Sequence, residues 1–265
     1  MNAVILFPEF EQLKIEVEKL RTELSMLVLE RDELLYVECK NIEMQYMLKL
    51  GALEYKVYET QCAVLRMKRK LELIQAKRNR QEKIVMEKIE KVLDDEFAEF
   101  QEKLEEQLVK MNAAIDRNHA KILSEKDTKE LKQLYRRVVK TLHPDLNPDL
   151  SEEKQQLFFR AVNAYENGDL NPLCIIDETI SSPVLPEMEQ NAITSLRHER
   201  DRLIPLLSNI KDRIAKIKSE YPYTVKEIVQ DEDRVEQSRN QLEALLNQYQ
   251  GAITYYKAKI REMTG

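Results

Sequence analysis

The chain has 265 residues and a formal net charge of −6, with 34% charged, 43% hydrophobic and 6% aromatic side chains and no Trp. Only 4 Gly and 8 Pro are present, too few for the closely spaced turns of a β-sandwich or barrel, so those folds are excluded. No apolar stretch is long enough to cross a bilayer, and the short patch Val4 to Phe7 has neither a preceding basic residue nor the length of a secretory core, so a cytoplasmic protein is expected.

Gly51 is the only Gly or Pro between Glu9 and Leu142. Within that run apolar residues recur at steps of three and four: Phe10, Leu13, Val17, Leu20, Leu24 and Leu27, then, after a shift of register, Leu35, Cys39, Ile42 and Tyr46. This is the period of a packed helix or coiled coil. The seam continues through Gly51, expected as a tolerated weak point costing about 1 kcal/mol, to Leu71 and Ile74. Around Asn79 two seam positions are missing, which predicts a turn near 76–83, and a third run follows from Ile89 to Ile122.

Charge supports folding at that turn. Residues 66–83 hold eight basic side chains and residues 87–106 nine acidic ones, which an antiparallel hairpin would set face to face. Residues 1–126 are therefore predicted to form an N-terminal coiled-coil hairpin. A single unpartnered helix of that length would extend about 200 Å with a wet seam.

The segment 127–170 is the most informative. Asp127 and Glu130 resemble a capping box, so a helix is expected to start near Thr128. Its buried face would be Leu131, Leu134, Tyr135, Val138, Val139 and Leu142, and its other face carries Lys129, Lys132, Arg136, Arg137 and Lys140 against Glu130 alone. His143-Pro144-Asp145 ends it, because proline bars the preceding residue from helical geometry and donates no hydrogen bond. Asn147-Pro148-Asp149 extends the loop, Ser151 is placed to cap a second helix, and Asn167-Gly168 supplies a left-handed stop. Two antiparallel helices joined by a rigid, polar, exposed loop are predicted.

The runs LYRRVVKTLHPDLNP (134–148) and FFRAVNAYE (158–166) resemble helices II and III of a J domain, the module of DnaJ-type co-chaperones. Tyr135 eight residues before the His, the basic helix, the Asn-Pro and the Ala-Tyr-Glu all stand where a J domain would have them. The resemblance implies docking on a DnaK-type chaperone of the heat-shock-seventy class and stimulation of its ATPase. His143, Pro144 and Asp145 would form the trigger, and Lys132, Arg136, Arg137 and Lys140 the steering positive face. There are departures: no counterpart of helix I precedes Asp127, Leu146 stands where a Lys commonly follows the tripeptide, and the second helix ends in ENGDL.

Residues 171–186 are expected to be a linker, and Pro186 is placed as a first-turn proline of the next helix. Residues 187–265 then repeat the helical seam, with a kink expected at Pro205 and an interruption at Tyr221-Pro222-Tyr223-Thr224, and are predicted to form a second hairpin turning near 221–224.

The expected fold class is all-α: long antiparallel helical hairpins or coiled coil with a small inserted J-like hairpin. Cys39, Cys62 and Cys174, three and far apart, indicate reduced cysteines, and His119 and His198 lack ligand partners at metal-binding spacing. Neither phosphate loop, nucleophile elbow nor metal set is found, so no cofactor and no catalysed reaction are expected. The basic run 66–83 raises nucleic acid as a partner, but the pI of about 5.4 and the facing acidic run weigh against it. Two functions remain: a J-type co-chaperone whose arms bind clients or self-associate into a homo-oligomer, and a structural coiled-coil scaffold that keeps the J-like hairpin as a packing unit.

Overall fold

The computed structural model describes residues 8–119, 123–180 and 192–264. Every regular element among them is helical, and none of these helices is long and apolar enough to cross a membrane. The chain is all-α.

The first elements are α1 (Pro8–Asp32), a π-helical turn (Glu33–Glu38), α2 (Cys39–Tyr46), a second π-helical turn (Met47–Gly51) and α3 (Ala52–Asn79). The shift of register after Leu27 has its physical cause in the first π turn. An i→i+5 turn inserts a residue into the α-helical period and rotates the seam, so that Leu24 and Val28 are buried before it and Cys39 and Ile42 after it. The helical run continues through Gly51. This residue is buried at a close approach, where an added Cβ would lie 3.1 Å from Met47 Sδ and 3.5 Å from Met111 Cγ.

After α3 the chain turns through Gln81, whose φ of 57° is left-handed, into α4 (Met86–Glu96) and α5 (Ala98–His119). Ion pairs Arg66–Glu90 and Arg66–Asp94, both at 2.7 Å, with Arg69–Glu96 at 2.8 Å, join the basic run to the acidic one. The later elements are α6 (Glu125–Leu142), α7 (Glu152–Asn167), α8 (Leu170–Ile180), α9 (Ala192–Ser219), a 3-10 turn (Tyr223–Val225), α10 (Lys226–Gln230) and α11 (Glu232–Thr264).

The chain divides into two compact units, residues 1–40 with 121–224 and residues 41–120 with 225–265. In the first unit α1 packs along α9. Their ion pairs Glu23–Lys211 and Glu30–Lys218 have the same sequence separation, 188, so the two helices run parallel. Val17, Leu24 and Val28 of α1 share one core with Leu203, Leu207, Ile210 and Ile214 of α9 and with the inner faces of α6, α7 and α8. In the second unit α3 packs along α11. Lys49 pairs with Glu232 while Ile74 clusters with Ile260 and Met263, so this pair also runs parallel.

These pairings correct the expectation of a C-terminal segment folded on itself. The narrow seam of α9 meets the stripe of α1 and the seam of α11 meets α3, which places Leu203, Leu207, Ile210 and Ile214 in a core with α6, α7 and α8. The linker assignment for 171–186 is corrected in its first part. Residues to Ile180 continue α8, with Leu173 and Ile176 buried and Pro172 in the first turn, where no intrahelical N–H is required. The rest of that segment, with Pro183 and Pro186, lies outside the described residues. α9 passes through Pro205 as a helix.

Candidate partner-docking site

α6 starts three residues before the expected point. Ser124, in extended conformation, is the N-cap and its hydroxyl accepts from the Asp127 N–H at 3.1 Å, so Asp127 stands at the third position of the cap and not at its start. The helix then buries Leu131, Leu134, Tyr135, Val138, Val139 and Leu142. At its other end His143 has φ −70° and ψ 126°, the extended geometry that a following proline imposes.

The loop is closed by its own hydrogen bonds. The N–H groups of Leu146 and Asn147 donate to the His143 carbonyl at 3.1 and 2.9 Å, and the Asn147 side-chain amide donates to the Lys140 carbonyl at 3.0 Å, satisfying acceptors left at the helix end. α7 begins after Ser151 and ends at Gly168 with φ 74°. α8 packs against both α6 and α7. Tyr135 and Tyr165 stack with ring centroids 4.0 Å apart, and His143 meets Phe158 edge-on at 5.0 Å.

The tripeptide is not the freely exposed loop expected from sequence. His143 is 3% exposed. Its Nδ1 lies 3.0 Å from the Asp145 N–H and its Nε2 3.0 Å from Arg31 Nη2. Both neighbours are donors and a neutral imidazole has one acceptor nitrogen, so the ring accepts from only one of them at a time. Burial, and then the Arg31 cation, push the His143 pKa down to about 4, against the opposing pull of the Asp145 carboxylate. The ring is neutral at physiological pH.

Arg31 holds this corner together from α1. Besides the imidazole it binds the fully buried Asp32 carboxylate and comes within 3.8 Å of the Asp145 carboxylate. Tyr135 donates to Asp32 Oδ2 at 2.8 Å. Burial raises the Asp32 pKa, opposed by Arg31 and the Tyr135 hydrogen bond. From α9, Arg202 donates to the Asp145 carbonyl at 3.0 Å. Among the described residues no buried side-chain polar atom lacks a partner. Pro144 and the Asp145 side chain, 35% exposed, remain half-buried at the surface.

The four expected steering cations separate into two kinds. Lys132 pairs with Glu33, and Arg137 grips Asp177 of α8 with two nitrogens at 2.8 and 2.7 Å, so both are engaged inside the unit. Arg136 and Lys140 are exposed, have no ion pair among the described residues, and line a groove of about 730 Å³ between α1 and the end of α6 that also reaches Leu146 and Asn147. Sequence reasoning missed Arg31, Asp32 and Arg202. The available signal was Asp32, an acid lying within the shift of register between Leu27 and Leu35. His119 and His198 are exposed, and no cluster of His, Cys, Asp and Glu suited to a metal ion occurs among the described residues. No family model, curated protein or solved structure matches this chain.

Proposed function

We propose that this chain is a J-type co-chaperone that docks on a DnaK-type chaperone and stimulates its ATPase. The observation that carries this reading is the joint placement, at one corner, of a hydrogen-bonded Pro144-Asp145 turn at the surface and two cations on the adjoining helix, Arg136 and Lys140, that have no ion pair among the described residues. A turn fixed in advance presents the Asp145 carboxylate with little ordering cost, and cations without internal partners speed encounter with an acidic surface. His143 acts in this reading from inside, as a positioning residue that sets the shape of the turn.

A second reading is supported by the burial of His143 and its contact with Arg31: the hairpin serves as a packing unit of a helical scaffold. ATP turnover by the DnaK-type chaperone of the same cell separates the two. Co-chaperone activity predicts faster turnover with the wild-type chain and loss of that stimulation with His143→Gln; a rate that neither protein changes leaves the scaffold reading.

A further inference from the structure

The groove beside the J-like hairpin has two walls, and only one belongs to that hairpin. α6 and the loop contribute Arg136, Lys140 and Leu146, while α1 contributes Met26 and Leu29. Met26 is 67% exposed. A thioether held in water beside the half-buried Leu29 and Leu146 makes a short apolar strip of an adaptable kind. Leu146, the departure from the usual cation after the tripeptide, continues that strip.

The charge at the groove is one-sided. Its two acids on the α1 side are already matched, Glu30 by Lys218 at 2.8 Å and Glu33 by Lys132. Arg136 and Lys140 are left without an ion pair among the described residues. An occupant that complements this surface brings carboxylates for the two cations and an apolar side chain for the strip between them and α1.

We infer that the groove between α1 and α6 is a docking site for an acidic segment of a partner protein that carries apolar side chains, with α1 supplying the apolar wall. This extends the proposed docking surface beyond the J-like hairpin and rests on the co-chaperone reading only for the source of the partner. Apolar burial gives the contact its affinity, whereas the unpaired cations select an acidic sequence and accelerate encounter.

The test is fluorescence anisotropy of a short labelled peptide in which leucines alternate with pairs of aspartates, titrated with the full chain. The expected result is saturable binding that weakens about tenfold or more in Arg136→Glu/Lys140→Glu, weakens several-fold in Met26→Glu, and falls as salt is raised. Counterpart peptides with serine for leucine or lysine for aspartate should bind weakly or not at all. All three substituted side chains are exposed, and circular dichroism melting checks that the variants fold. Equal binding by the variants, equal binding of the lysine peptide, or no binding at all overturns the inference. So does light scattering that shows a wild-type dimer converted to monomer by Met26→Glu, since the groove would then be a contact between two copies. The co-chaperone reading fails separately, as an ATPase rate unaffected by the chain while peptide binding persists.

Discussion

His143 links the chemistry of one ring to the stability of the first unit. The groups that face it are Arg31 from α1, Asp145 from its own loop, Arg213 from α9 and the apolar Phe158 from α7, with Asp32 one step behind on Arg31. In the unfolded chain the imidazole takes its proton near pH 6.5, while in the fold it resists until about pH 4. Between these values the unfolded state binds more protons, so the ring's contribution is present above pH 6.5 and lost as pH falls toward 4, a change of about 2–4 kcal/mol. Asp32 works the other way: its raised pKa lets the fold take up a proton earlier, which favours the folded state on acidification. Urea melts of wild type and His143→Gln across this range isolate the histidine, and the wild type should show the steeper loss of stability toward acid. Arg31→Met should cost about 3–5 kcal/mol by leaving a buried carboxylate without its cation. Adding Asp32→Asn should recover part of that loss in the same denaturation measurement.

At the scale of elements, the α6–loop–α7 hairpin was legible because local chemistry specifies it: a proline to end α6, a serine at the N-cap position and two glutamates in the first turn of α7, and a glycine where the backbone turns left-handed. Gly168→Ala should cost about 1–2 kcal/mol, since φ is 74° and the new Cβ would sit 3.1 Å from Leu123 Cδ1; thermal melting reads the loss directly. The π turn Glu33–Glu38 was visible only as a slip of register, because periodicity records that a seam has rotated and not the hydrogen bonding that rotates it. Most of α8 fell in the segment 171–186 read as a linker, and Pro172 lies in its first turn. Proline is tolerated in a first turn, and the burial of Leu173 and Ile176 is set by α6 and α7, which local sequence does not encode. Arg31 and Arg202 were invisible for the same reason. Each stands on a helix distant in sequence from the loop it holds.

Across the whole molecule, the period of the apolar seams established that helices pack but not which helix takes which partner. Equal seams fit several arrangements, and the observed one pairs α1 with α9 and α3 with α11, each in parallel. For the first unit the consequence lies at the His143-Pro144-Asp145 loop. Because α9 returns along α1, Arg202 and Arg31 reach the His143-Pro144-Asp145 loop from two helices, and the same α1 forms a wall of the groove that exposes Arg136 and Lys140. The central claim is that this held loop and its cationic flank form a co-chaperone docking corner. Its most direct test is single-turnover ATP hydrolysis by the DnaK-type chaperone of the same cell, with wild type, Asp145→Asn and His143→Gln compared at equal concentration. The claim predicts a several-fold faster turnover with wild type and a rate near that of the chaperone alone with either variant; a rate unchanged by all three proteins, or raised equally by all three, contradicts it.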